Sequence, residues 1–88
     1  MKVEFNESFL KDIKCVKASS VLKRVSVAIE SVEKATSLDE IHHLKKTRGS
    51  RDYFRIRIGD FRIGIKLESN TMVFVRFLNR KDIYRKFP

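Results

Sequence analysis

The 88-residue sequence predicts an α+β fold of order β-α-α-β-β-β, a small antiparallel sheet with two helices packed on one face, in a single domain spanning residues 1–88. Three observations carry this prediction. Apolar residues recur at helical spacing in two uninterrupted segments before residue 35. They alternate with polar residues in three segments after residue 52. Gly59-Asp60 stands between the first two of those segments as a two-residue hairpin turn. A chain of this length supports one hydrophobic core and no more.

The elements follow in order. "KVEF" places Val3 and Phe5 on one face and reads as a short strand. Asn6 or Ser8 caps the next helix. There Phe9, Ile13 and Val16 recur at helical spacing with Leu10 beside them, and Cys15 is expected in the core. Ser19 or Ser20 caps a second helix whose stripe is Leu22, Val25, Ile29 and Val32, with Ala28 on the same side. "SLDE" at 37–40 fits a capping box, Ser37 with Glu40, and predicts a short helical turn. "HHLKKTRGSRD" reads as a basic loop with Gly49 and Ser50 as turn residues. Three strands complete the fold, roughly Tyr53–Ile58, Phe61–Leu67 and Met72–Leu78, with Ser69 and Asn70 in the second turn. The tail "NRKDIYRKFP" is expected to add little to the core.

Pairing Ile58 with Phe61 across the first turn fixes the rest of the hairpin: Arg57 faces Arg62, Ile56 faces Ile63 and Arg55 faces Gly64. Phe54, Ile56, Ile58, Phe61, Ile63, Ile65 and Leu67 then share an apolar face for the helices to cover. Tyr53, Arg55, Arg57, Arg62, Gly64 and Lys66 share the other. Like charges directly opposite weaken a sheet, and so does a strand glycine. Both choices make sense if an anion approaches the backbone through open space at Gly64; otherwise the arginines splay on a solvated face. For the last strand, a three-residue loop (Ser69 to Thr71) turns Val73, Val75 and Phe77 to the helices and adds Arg76 to the arginine face. A two-residue loop would bury Arg76 beside Ile63, which is costly, so the first register is preferred.

Charge points the same way. Residues 1–44 hold seven Lys/Arg and seven Asp/Glu, whereas residues 45–88 hold thirteen against four, so the whole excess of +9 lies in the second half. Segregated positive charge is the footprint of a nucleic-acid binder, although solubility alone also tolerates net charge. At 42% hydrophobic and 35% charged residues the chain is neither disordered nor membrane-spanning in composition. It shows no signal-peptide core, and Cys15 is its only cysteine, which together favour the cytoplasm. His42 and His43 are adjacent and point apart, so no metal site and no cofactor is expected. Lys45, Lys46, Arg48 and Arg51 form a basic stretch suited to a nucleic-acid backbone.

"YFRIRIGDFRIGIKL", followed by "MVFVRFLNRKDIYRKFP", resembles the C-terminal half of the RelE/ParE toxin superfamily, with the RelE branch most similar. The resemblance covers essentially the whole chain. It implies a toxin of a type II toxin–antitoxin pair that enters the ribosome and cuts mRNA without a metal, through the RNA 2′-hydroxyl. It implies Arg55 and Arg57 as the two basic positions before the hairpin turn, often lysines in the family, Arg62 after the turn, Arg80 after the last strand, and Tyr84 as the C-terminal tyrosine. The arginines would clamp phosphate oxygens and Tyr84 would protonate the leaving oxygen or stack a base, its alternative being a packing role in the tail. Lys45, Lys46, Arg48, Arg51, Arg76, Lys81 and Arg85 would contact RNA. The partners implied are an acidic antitoxin, the ribosome and mRNA, with promoter DNA reached only through the antitoxin complex and no membrane. Other members of the superfamily inhibit DNA gyrase, so a toxin that binds without cutting is the second expectation.

Overall fold

A computed structural model describes residues 1–49 and 51–88; Ser50, expected in a turn, lies outside the described residues. The order is β1 (Lys2–Phe5), α1 (Glu7–Lys14), α2 (Ser19–Lys34), a 3₁₀ turn (Leu38–Glu40), β2 (Leu44–Lys46), β3 (Tyr53–Ile58), β4 (Phe61–Glu68), β5 (Thr71–Asn79) and α3 (Arg80–Lys86). The α+β class and the succession of elements hold, with two additions, β2 and α3. The five strands form one sheet in the order β1-β5-β4-β3-β2. All neighbours are antiparallel except β1, which runs parallel to β5, so the sheet is mixed. A first strand separated from the last by two helices and three strands enters beside it in either direction, and local patterning does not decide which.

The hairpin register is the expected one, from Tyr53 opposite Lys66 to Ile58 opposite Phe61. Ile56, Ile58, Ile63 and Ile65 point into a core closed by Phe9 of α1 and by Val25, Ala28 and Val32 of α2. The β4–β5 turn differs from the expectation. Glu68 pairs with Thr71, and both loop residues, Ser69 and Asn70, take positive φ (49° and 64°), as a two-residue hairpin turn requires. Met72 and Phe74 are therefore the buried residues, while Val73 and Val75 are half-buried. A bulge then resets the phase: Phe74 pairs with Ile65 and Arg76 with Gly64, so Val75 is the extra residue and Phe77 returns to the core opposite Ile63. Arg76 escapes burial beside Ile63 without a longer loop.

The bulge lies where β1 ends. Beyond Phe74, β5 has no strand neighbour on that side among the described residues, and α1 takes its place. The Ser8 hydroxyl donates to the Val75 carbonyl at 2.6 Å, and the Asp12 carboxylate accepts from the Phe77 amide at 2.9 Å. The same carboxylate holds Arg76 through two bonds of 2.8 and 3.1 Å, which raise the guanidinium pKa above its ordinary value. Arg76 thus ties α1 to β5.

Other local expectations shift by a residue or two. Asn6 precedes α1 with no side-chain cap, and Ala18, not a serine, precedes α2. Glu40 reaches Thr36, accepting from its amide at 3.2 Å and its hydroxyl at 2.6 Å, and leaves Ser37 unused. Cys15 ends α1 and is exposed, because it points away from the Phe9 stripe.

The tail is the largest correction to the packing. Asn79 caps α3 by accepting from the Lys81 amide at 3.0 Å, and Ile83 and Phe87 are buried one turn apart. They cover the sheet face opposite α2. Gly64 is consequently not open space: a Cβ there would lie 2.7–2.8 Å from three carbons of the Phe87 ring. The ring also meets Tyr53 edge-on, with centroids 5.4 Å apart. Gly64→Ala is therefore expected to destabilise the fold by about 1–3 kcal/mol through overpacking and to loosen α3 first. Urea unfolding with amide exchange checks this; an unchanged midpoint with undiminished protection of α3 would show that Phe87 has room to move.

Candidate anion-binding site

Four chain segments meet above the outer face of the sheet. β3 and β4 project Arg55, Arg57 and Arg62 in alternation, β2 brings Lys45 into register with Arg55, and α3 sets Tyr84 over the same strand. With His43 these side chains line a hollow of about 410 Å³. Among the described residues no carboxylate lines it. The cations are instead steadied by their own surroundings. Arg62 folds its Nη1 back onto the hairpin turn, donating to the carbonyls of Gly59 and Phe61 at 2.8 Å each, which holds the guanidinium in place. Arg55 places its Cζ 4.7 Å from the Tyr84 ring centroid, a cation–π contact that contributes about 0.5–1 kcal/mol at an exposed site.

Tyr84 itself is 63% exposed, while Ile83 beside it is buried. A short helix fastened by Ile83 and Phe87 thus presents a phenol to the arginines on its free side. His43 is at the entry to β2 with φ 64°, a conformation that histidine tolerates better than most residues, and its carbonyl accepts from the Arg57 amide at 3.5 Å. The site offers guanidinium forks suited to phosphate oxygens, together with an imidazole and a phenol that exchange protons.

Of the residues expected in the site, Arg55, Arg57, Arg62, Tyr84 and Lys45 converge. Lys46, Arg48 and Arg51 line a neighbouring hollow of about 570 Å³ with Thr47 and Gly49. Arg80, Lys81 and Arg85 are exposed on α3 and do not line the main hollow; the Arg80 amide donates to the Asp60 carbonyl at 2.9 Å. His43 was not expected, because its segment reads as a loop. It lies in the turn before β2 at positive φ, so no strand periodicity in the sequence points to it. Among the described residues no group of three or more His, Cys, Asp or Glu is arranged to hold a metal ion, and no helix is long and apolar enough to cross a membrane.

Comparison with known proteins agrees with this architecture. The sequence model of the family described as "ParE toxin of type II toxin-antitoxin system, parDE" matches residues 3–84. Toxin RelE3 of Methanocaldococcus jannaschii is 42% identical over 89 residues, 100% of both chains. A chain of the RelB-RelE antitoxin-toxin complex from Methanococcus jannaschii superposes with a TM-score of 0.81 at 39% identity, over 97% of this chain and 99% of that one. A chain of the archaeal RelE-RelB complex from Pyrococcus horikoshii OT3 gives 0.72 at 17% identity, over 90% and 93%, a likeness of fold.

Proposed function

The chain belongs to the RelE/ParE superfamily of type II toxin–antitoxin toxins, and from that membership we propose that it is a toxin that cuts mRNA on the ribosome. The observation that carries this reading is the acid-free cationic hollow with Tyr84 laid over Arg55. In the proposed reaction the 2′-oxygen attacks the adjacent phosphorus while the bond to the 5′-oxygen breaks, leaving a 2′,3′-cyclic phosphate and a 5′-hydroxyl. Arg55, Arg57 and Arg62 neutralise the charge that develops on the phosphorane oxygens and hold the attack in line. Arginine does not give up a proton at neutral pH, so His43 takes the proton of the 2′-hydroxyl and Tyr84 delivers one to the leaving oxygen. Arg80, Lys81 and Arg85 on α3, and Lys46, Arg48 and Arg51 along the neighbouring hollow, contact the RNA backbone.

The proposed partner is an antitoxin, the partner named in the RelB-RelE complex that this chain resembles, and the excess of positive charge suits an acidic one; promoter DNA is engaged only through that complex, and both are held in the cytoplasm. Induced expression without the partner tests the reading. Growth arrest with mRNA cut at the ribosomal A site is expected, and Tyr84→Phe is expected to lower cleavage by about 10²-fold or more. Cleavage by that variant at the wild-type rate would remove the phenol from the chemistry. The ParE description of the matched family favours a second reading, a toxin that binds DNA gyrase without cutting RNA. Intact mRNA together with inhibited supercoiling would select it.

A further inference from the structure

We propose that the protein carries a second phosphate subsite beside the first, formed by Thr47, Arg48 and the Nε of Arg55, which takes the phosphate next to the one being cut. This rests on the RNA-cleaving reading above. A hollow of about 440 Å³ shares Arg55 and Tyr84 with the main one, so one strand passing the tyrosine can enter both. Thr47 and Arg48 line its other wall, next to Phe87.

Two buried side-chain polar atoms among the described residues lack a hydrogen-bond partner, Thr47 Oγ1 and Arg55 Nε, and both residues line this hollow. Buried donors are nearly always paired, and two orphans on one hollow point to an acceptor supplied from outside the chain. Arg55 Nε only donates, and the hydroxyl of Thr47 donates as readily as it accepts, so the ligand is an anion with several acceptor oxygens. Arg48 adds the charge that makes it a phosphate. The Tyr84 ring covers the face of the Arg55 guanidinium, whereas the Nε–H donates in its plane, so an oxygen that enters as the exposed Tyr84 tilts leaves the stacking contact in place. Among the described residues no acidic side chain lines the hollow, whose remaining wall is Ile83 and Pro88.

The test compares 2′-O-methyl strands, which bind without being cut. A dinucleotide carries one phosphate and a trinucleotide two. Calorimetric titration of the whole protein is expected to show the trinucleotide bound about tenfold tighter, the return on one or two charge-assisted hydrogen bonds. Thr47→Val and Arg48→Ala are each expected to shrink that ratio at least about threefold, with circular dichroism confirming that both variants are folded. Equal affinity of the two strands for the wild type overturns the subsite and leaves the proposed function standing. So does a ratio that neither variant changes. Binding of neither strand to the free protein overturns the RNA reading itself, and the subsite with it.

Discussion

Arg55→Ala is expected to be the most damaging single change in the cationic hollow, lowering mRNA cleavage by about 10²–10³-fold. The side chain has two duties. Its guanidinium is one of three aimed at the proposed scissile phosphate, and its flat face is the platform on which the Tyr84 ring rests, 4.7 Å away. Alanine removes a ligand for developing charge and leaves the proton donor without a fixed position. Arg55→Lys separates these duties, because an ammonium keeps the charge but loses the fork and the face. Partial recovery, by about tenfold, is expected. The measurement is cleavage of a reporter mRNA in a translating extract, with circular dichroism confirming the fold. An alanine variant within a few-fold of wild type would show that Arg57 and Arg62 suffice.

Asp12→Ala is the change expected to cost most stability, about 2–4 kcal/mol, a large share of what a domain this size possesses. The carboxylate is 13% exposed and serves three donors, two on Arg76 and the Phe77 amide. Without it Arg76 is half-buried with no counter-charge and a strand amide loses its acceptor. Asp12→Asn restores an oxygen to one donor but no charge, and is expected to lose about half as much. Urea unfolding gives the magnitudes. Growth arrest by a folded Asp12→Ala variant is expected to persist, since Asp12 does not line the cationic hollow. A loss below about 0.5 kcal/mol would show that Arg76 finds water as a sufficient partner.

The sequence made the hairpin legible to the residue, because Gly59-Asp60 leaves one two-residue turn and period two does the rest. The helices were equally plain from Phe9, Val25, Ala28 and Val32. What failed to show was decided by tertiary contacts. β2 is three residues long and carries Lys45 and Lys46, so it exists only because β3 offers an edge. The bulge at Val75 answers to the end of β1 and the presence of Asp12, both remote in sequence. Gly64 was read correctly as a place of close approach, but the visitor is Phe87 of the same chain and not a ligand. The cationic cluster was legible because alternation alone brings Arg55, Arg57 and Arg62 to one face; His43 and Arg76 were not, since each depends on an irregular backbone.

The way α1 finishes the side of β5 bears on self-association. Where β1 stops, Ser8 and Asp12 occupy the Val75 carbonyl and the Phe77 amide, groups that would otherwise template an incoming strand. The outermost strands, β1 and β2, are four and three residues long and bear Lys2, Glu4, Lys45 and Lys46. A second molecule seeking to extend this sheet meets two short, charged footholds. The arrangement guards the protein against edge-to-edge aggregation whenever it is free of a partner.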